Sequence, residues 1–263
     1  MPKIAIPLPR SNNPEYVERA LPQYEHAVEL AGGKPVRIPL DTSQAEIADL
    51  LEQCDGILLP GSSADVDPSY YGAPKHEKTA PADGPRHAID QLLLDHAYRA
   101  RKPVLGICYG LQSLSVFCKG TLVQHIESAI NHEAGRNVAI AHKVDIEPGS
   151  RLASILESPS IPDSQRMPAS KPLTIDVNSS HHQSVETAGH NLRVVARSSE
   201  DGIVEAVEGT SSEHFVLAVQ WHPERSVDED APSRAIFRAL VDAAEKHVEE
   251  PNPSARKGSA FPK

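Results

Sequence analysis

The feature that most constrains this chain is an apolar stretch, residues 104–112, that ends in a Gly-x-Cys-x-Gly turn. Gly106 and Gly110 flank Cys108 at the spacing of a nucleophile elbow, a strained strand-to-helix turn in which the backbones crowd together. Such an elbow places the thiol beside a helix N-terminus, which favours the thiolate, and turns the Tyr109 amide toward a developing oxyanion. A buried strand that ends in a small core cysteine is the alternative, and this motif alone does not decide between them.

A second motif, close to the C-terminus, favours the nucleophile. Residues 215–220 form an apolar stretch typical of a strand, and a Trp-His-Pro-Glu sequence follows it. Residues two apart on an extended chain point to the same side, so His222 and Glu224 can act together. A cysteine nucleophile needs a base, and the base needs a group that fixes its tautomer. Cys108, His222 and Glu224 therefore form a candidate catalytic triad.

Strand-like and helix-like segments alternate in the first half of the chain, which is typical of a parallel sheet with right-handed crossovers. The predicted strands cover residues 3–8, 36–40, 56–59 and 104–108, and the predicted helices cover residues 14–31, 44–53, 86–101 and 111–119. Pro22 is expected to interrupt the first helix, because proline removes a helical hydrogen bond.

The second half of the chain is richer in strand-like segments. Predicted strands cover residues 121–126, 142–147, 173–177, 192–196, 203–207 and 215–220, before a terminal helix over residues 231–248. Two stretches without periodicity, residues 64–85 and 158–171, are expected to be loops. The prediction is an α/β fold, a three-layer sandwich with a mostly parallel central sheet, in one domain over residues 1–248. A flexible tail over residues 249–263 follows.

Charge and cysteine content exclude several classes of function. The net charge is −10 and no basic stripe is present, so nucleic acid is not an expected partner. No apolar run is long enough to span a bilayer and none resembles a signal peptide, which predicts a cytoplasmic protein without a membrane partner. An odd number of cysteines, 3, favours reduced thiols. His181 and His182 point to opposite faces without further ligands at a zinc-like spacing, so no metal or other cofactor is expected.

The motifs together resemble a known family. Gly-Ile-Cys-x-Gly-x-Gln, Asn-Ser-x-His-His-Gln and Val-Gln-Trp-His-Pro-Glu, with an upstream Leu-Leu-Pro-Gly-Ser, are similar to the class I glutamine amidotransferase superfamily, and most similar to its γ-glutamyl-γ-aminobutyrate hydrolase branch. The resemblance covers roughly residues 1–245. It implies a class I glutaminase fold of the flavodoxin or Rossmann type. It also implies cleavage of a small γ-glutamyl substrate through a thioester, in putrescine breakdown.

The resemblance also implies roles for individual residues. The Gly61 amide would be the second oxyanion donor beside Tyr109, and Gln112 would contact the α-amino or α-carboxylate end of a γ-glutamyl group. The predicted substrate contacts are Gln112, Ser179, Ser180, His181 and Arg86, and the resemblance implies that the backbone around residues 179–181 holds the α-carboxylate of the substrate. The chain departs from the family pattern at His87 and Asp90, where the family has Asp and Glu, and at Tyr109, where it has Arg or Leu.

Three functions remain open at this stage: a stand-alone γ-glutamyl hydrolase, a glutaminase subunit that supplies ammonia to a partner synthetase, and a non-enzymatic protein on the same fold. The candidate triad argues against the last. The long stretch over residues 64–85 begins beside the presumed oxyanion hole and would cover the site where a partner needs access, which favours the stand-alone hydrolase. The identity of the amine released and the presence of a homo-oligomer are left open.

Overall fold

Strands and helices alternate through most of the chain in the computed structural model, which describes residues 1–158, 161, 162, 164 and 173–249. The elements are β1 (Lys3–Pro7), α1 (Pro14–Leu30), β2 (Lys34–Ile38), α2 (Gln44–Glu52), β3 (Gly56–Leu59), α3 (Gly84–Ala100), β4 (Val104–Ile107), α4 (Tyr109–Phe117), β5 (Thr121–Val123), β6 (His142–Ile146), α5 (Arg151–Leu156), β7 (Leu173–Val177), β8 (Ser184–Thr187), β9 (Leu192–Ser198), β10 (Val204–Gly209), β11 (Val216–Val219) and α6 (Ala231–Glu249).

One large sheet runs through the described residues in the strand order β2-β1-β3-β4-β11-β10-β9-β6-β7. The first five strands are parallel, and every pairing from β11 to β7 is antiparallel. A separate antiparallel pair joins β5 and β8. The predicted α/β fold, with a mostly parallel centre and additional strands in the second half, is confirmed.

Helices cover both faces of the sheet, because successive residues of its buried strands point to opposite sides. Ile4 and Ile6 of β1 pack in one apolar cluster with residues of α1, α5 and α6. Ala5, between them, packs in a second cluster with residues of α2, α3 and α4. The predicted three-layer arrangement follows. None of the described helices has both the length and the apolar composition needed to cross a bilayer.

The predicted interruption of the first helix at Pro22 is wrong. Helix α1 continues through Pro22, which lies on the exposed side of the helix, while Leu21, Tyr24 and Val28 are buried on the other. Water can satisfy the carbonyl that loses its helical donor, and burial of the apolar face holds the helix together.

The predicted loop over residues 64–85 has more structure than expected. Pro68–Tyr71 forms a 3-10 turn capped by Asp67, and Asp65 forms a parallel β-bridge with Ala82. Strand β8 and helix α5 were not predicted. The predicted loop over residues 158–171 and the tail beyond Glu249 lie mostly outside the described residues.

Candidate active site

The turn between β4 and α4 has the geometry of a nucleophile elbow. Cys108 is the one residue between the two elements, and its φ of 53° is rare for a residue other than glycine. A Cβ on Gly106 would lie 2.9 Å from the Gly110 carbonyl carbon, and a Cβ on Gly110 would lie 2.2 Å from the Leu59 carbonyl oxygen. Only glycine fits at these two approaches, so the predicted elbow is confirmed.

The base lies beside this turn because β11 pairs in parallel with β4, with Val219 opposite Ile107. His222 follows β11, and its Nδ1 lies 2.8 Å from Glu224 Oε1. Both side chains are buried. His222 Nε2 has no hydrogen-bond partner among the described residues. With Nδ1–H held by the carboxylate, Nε2 is the atom free to accept a proton.

Cys108 and His222 meet at Gly61. A Cβ on Gly61 would lie 3.0 Å from His222 Cε1 and 3.5 Å from Cys108 Cβ. Both side chains therefore lie against the turn that follows β3. The structure brings the three predicted members of the triad, from three distant parts of the sequence, to the carboxyl edge of the parallel strands.

Two residues that sequence reasoning missed hold the base in place. Asn178 Oδ1 accepts from the His222 amide (2.9 Å) and Asn178 Nδ2 donates to the His222 carbonyl (2.8 Å). Arg225 Nη1 donates to Ser180 Oγ (2.8 Å), and its Nε lies 3.7 Å from Glu224 Oε1. Asn178 opens the Asn-Ser-x-His-His-Gln motif, so its position in that motif was the available signal.

Burial determines the resting protonation of the pair. It raises the pKa of the Cys108 thiol to about 12, against the opposing effects of the Arg225 charge and the Tyr109 amide. Burial also lowers the pKa of His222, against the opposing charge of Glu224. The resting state is therefore a neutral thiol beside a neutral imidazole. Burial therefore opposes the thiolate expected at the helix N-terminus, because desolvation is the largest effect on the pKa of Cys108.

The two predicted oxyanion donors differ in their surroundings. The Tyr109 amide lowers the pKa of the Cys108 thiol and so favours negative charge on the sulfur. The Gly61 amide donates to the hydroxyl of Tyr24, at 3.0 Å, in a buried contact with α1. Tyr24 was not selected from the sequence. Because its oxygen accepts from Gly61, its own hydrogen remains available to another acceptor.

A cavity of about 240 Å³ opens at Cys108. Residues 62–65 and 180–183 line it together with Ala80, Tyr109, Gln112 and Glu133. The predicted contacts Gln112, Ser180 and His181 are on this wall, as are Ala64, Asp65 and Ala80 of the predicted loop over residues 64–85. Gln112 Nε2 donates to the Gln183 carbonyl (3.2 Å) and to Gln220 Oε1 (3.3 Å), so its Oε1 is the acceptor available to an ammonium group.

Two predicted substrate contacts do not reach the cavity. The fully buried Arg86 donates to Asp90 (2.7 Å) and to the carbonyls of Pro60 (2.7 Å) and Pro9 (3.2 Å). Its role is to hold the turn that carries Gly61. Ser179 is also fully buried, and its hydroxyl donates to the His132 carbonyl at 2.7 Å. Both side chains therefore make their hydrogen bonds within the protein and not to the cavity. The contact implied for the Ser179 backbone stays a prediction.

Of the three departures from the family pattern, Tyr109 lies on the cavity wall, whereas His87 and Asp90 lie off it. His87 stacks on Tyr70 with ring centroids 3.7 Å apart, and Asp90 is the buried partner of Arg86. The backbone around residues 179–181 also has one free donor fewer than expected, because the His181 amide donates to the His132 carbonyl at 2.9 Å. A ligand at this wall must therefore use other groups than that amide.

The comparisons with known proteins agree with this geometry. The model of the peptidase C26 family matches residues 7–224. A γ-glutamyl-γ-aminobutyrate hydrolase of Escherichia coli O157:H7 is 33% identical over 238 residues, which cover 87% of each chain. A Mycobacterium tuberculosis protein provisionally named a glutamine amidotransferase is 35% identical over 225 residues, 84% of this chain and 66% of that one.

A solved structure extends the likeness to the fold. The glutaminase domain of Trypanosoma brucei CTPS, with bound acivicin, has a TM-score of 0.62 at 19% identity, and the match covers 94% of both chains. The elbow cysteine, the parallel sheet and the family match over most of the sequence lead to one conclusion. This chain belongs to the peptidase C26 family of class I glutamine amidotransferase-like proteins.

Proposed function

We propose that this protein hydrolyses the γ-glutamyl amide bond of a small compound, γ-glutamyl-γ-aminobutyrate or a related γ-glutamyl amine, to glutamate and the free amine. The observation that carries the proposal is the cavity that joins the elbow thiol of Cys108, beside the His222–Glu224 pair, to the acceptor Oε1 of Gln112. An acceptor on the same cavity wall as the thiol suits the α-ammonium of a glutamyl group. The name of the Escherichia coli relative supports the same substrate class.

The reaction follows from the neutral resting pair. His222 Nε2 takes the thiol proton as the sulfur attacks the amide carbon, and the carbonyl electron pair moves onto oxygen. His222 then gives this proton to the departing amine, which leaves a thioester. Water enters, His222 takes its proton, and collapse of the second tetrahedral intermediate breaks the carbon–sulfur bond. The imidazolium returns its proton to the sulfur, and Glu224 stabilises the imidazolium at each stage.

The oxyanion is held by the Tyr109 amide and by the Tyr24 hydroxyl. The Gly61 amide donates to Tyr24 from 3.0 Å, which polarises the hydroxyl and makes it a better donor. We assign Gly61, the predicted second donor, an indirect part in this arrangement. Tyr24 is buried on α1, so its hydroxyl is placed before substrate arrives.

Tyr24→Phe is therefore expected to lower kcat by about 10²-fold, the lower end of the effect of removing one oxyanion donor, because the freed Gly61 amide compensates in part. The phenyl ring keeps the buried volume, so the thermal midpoint should change little. Tyr98→Phe is the matched control, since that hydroxyl contacts Cys118 Sγ at 3.1 Å, away from the cavity. An unchanged or higher kcat in Tyr24→Phe would assign the oxyanion to the Gly61 amide instead.

The segment between β3 and α3 supports a stand-alone hydrolase over a glutaminase subunit. Its residues Ala64, Asp65 and Ala80 lie on the cavity wall. The same segment is held by Gln124, whose Oε1 accepts from the His76 amide and from the Thr79 hydroxyl, both at 2.8 Å. This segment covers the face of the cavity through which a docked synthetase would have to receive ammonia.

The test is a mass-spectrometric assay of the purified protein against a panel of γ-glutamyl amines, γ-glutamyl peptides and glutamine, with Cys108→Ala as the blank. Release of glutamate with one preferred amine is the expected result. Ammonia from glutamine alone, stimulated by a co-purifying synthetase, would favour the glutaminase subunit. Absence of turnover on every compound by well-folded protein would favour a non-enzymatic role.

A further inference from the structure

A buried cluster of His132, His142 and Glu205 lies behind the cavity wall and has no part in the reaction described above. One ligand atom from each residue lies within 4.8 Å of the others. Glu205 Oε1 is 2.9 Å from His142 Nε2 and 3.4 Å from His132 Nδ1. The three side chains, which we call the histidine–glutamate cluster, are at most 5% exposed.

The backbone at Glu205 is irregular at this point. The pairing of β10 with β9 shifts register between Val204 and Ala206, which leaves Glu205 as the extra residue of a β-bulge. Bulges redirect a side chain out of the regular alternation and are common beside functional sites. Glu205 is fully buried in this bulge and faces imidazole nitrogens.

The cluster leaves polar atoms without partners. Glu205 Oε2 and His132 Nδ1 have no hydrogen-bond partner in the part of the chain that the structure describes. His181 Nε2, 3.6 Å from Glu205 Oε1, also has none there. Each unsatisfied buried polar atom costs about 1–3 kcal/mol, so several at one place need an explanation.

A metal ion bound through Glu205 Oε1 accounts for the two unpartnered imidazole nitrogens, His132 Nδ1 and His181 Nε2. Imidazole and carboxylate bind Zn²⁺ at about 2.0–2.2 Å, so neighbouring ligand atoms of a tetrahedral site are about 3.3–3.5 Å apart. The 2.9 Å, 3.4 Å and 3.6 Å separations around Glu205 Oε1 bracket this value. Two imidazoles and one carboxylate are also a known ligand set for zinc.

The surroundings of the histidines fit the same interpretation. His132 Nε2 lies 2.9 Å from Asp201 Oδ2, and His181 Nδ1 lies 2.9 Å from the Gln183 carbonyl. Metal-bound histidines almost always donate their second ring N–H to a carboxylate or a carbonyl, which fixes the tautomer. The remaining nitrogens of these two rings are the ones that face Glu205.

We propose that His132, His142 and Glu205 bind one divalent transition-metal ion of the Zn²⁺ type, with His181 as the fourth ligand after a small movement. The ion would stabilise the wall of the active-site cavity, to which His181 belongs. The His132 carbonyl already accepts from Ser179 Oγ (2.7 Å) and from the His181 amide (2.9 Å), so a ligand bond at His132 fixes both. The proposal departs from the expectation of no metal, and it does not depend on the substrate.

The test measures binding in Cys108→Ala protein, which lacks the active-site thiol, after treatment with a chelator. Isothermal titration with Zn²⁺ is expected to give one bound equivalent. Glu205→Gln and His142→Asn should each weaken binding by at least about 100-fold, and Asp201→Asn by about 10–100-fold through loss of the outer partner. His26→Asn, which removes an exposed histidine paired with Asp228 at 2.8 Å, is the matched control and should bind normally.

Substitution with Co²⁺ identifies the ligands. A four-coordinate nitrogen and oxygen site gives visible bands without thiolate charge transfer, and this spectrum is the expected one. Failure of the folded parent chain to bind Zn²⁺ would overturn the proposal. A protonated His132 that donates to both Asp201 and Glu205 would then explain the cluster. Thiolate bands would also overturn it, as would a Zn²⁺ affinity in Glu205→Gln and His142→Asn equal to that of the parent chain. The parent chain decides even where a variant misfolds, which circular dichroism detects.

Discussion

Cys108→Ala is expected to lower kcat by about 10⁶-fold, the loss found when an enzyme with a triad loses its nucleophile. The sulfur is the atom that His222 activates, and Ala has no atom that can form the thioester. The Cα geometry should be unchanged, because Ala meets the same constraint as Cys at φ 53°. Single-turnover mass spectrometry with the best substrate of the panel measures the loss.

Substrate binding should survive in this variant, because Cys108 is the only lining residue that changes. Isothermal titration with the uncleaved substrate is expected to give an affinity close to the Michaelis constant of the parent protein. Cys54→Ala is the matched control: Cys54 is also buried, but it packs between α2 and β3 away from the cavity. Activity above about one per cent in Cys108→Ala would contradict the assignment of the nucleophile.

Arg86→Leu is expected to lower the free energy of unfolding by about 3–5 kcal/mol, the cost of leaving one buried charge without its partner. Arg86 and Asp90 are both fully buried, and Arg86 Nε lies 2.7 Å from Asp90 Oδ1. The substitution also removes the donors to the Pro60 and Pro9 carbonyls. Urea denaturation, followed by circular dichroism, measures the change.

The double variant Arg86→Leu with Asp90→Leu separates stability from activity. Replacing a buried pair by apolar side chains is often neutral for stability, so most of the lost free energy should return. The activity should stay low, because the Pro60 carbonyl still lacks the donor that positions Gly61. Arg99→Leu, which breaks the exposed pair with Asp95, is the control and should cost less than about 0.5 kcal/mol. Equal losses of unfolding free energy in Arg86→Leu and Arg99→Leu would mean that the buried ion pair contributes no more to stability than the exposed one.

Local spacing was sufficient to predict the centre of the site. The spacing of Gly106 and Gly110 around Cys108 defines the elbow, since a Cβ at either glycine meets backbone atoms. The pairing of His222 with Glu224 was predicted correctly, with ring and carboxylate 2.8 Å apart. The reason differs from the expected one, because residues Pro223–Arg225 form a 3-10 turn after His222 and not an extended chain. The order of strands and helices in the first half of the chain was also predicted correctly, because it too follows from local sequence patterns.

Contacts across the sheet are what the sequence could not predict. Tyr24 meets Gly61 across 37 positions, Asn178 meets His222 across 44, and His142 meets Glu205 across 63. No spacing rule relates such pairs, because the packing of α1 on the sheet and the bulge in β10 decide them.

The protonation of Cys108 and the position of Arg86 differ from the expectations for a related reason. From the sequence, the thiol lies at a helix N-terminus and the guanidinium at a helix start near a loop. In the folded chain both are buried, so desolvation raises the pKa of Cys108 to about 12 and protein acceptors surround Arg86. The sequence by itself determined which backbone turns and side-chain pairs could form. Only the tertiary structure decided which polar groups lose water, because burial is a property of several chain segments packed together.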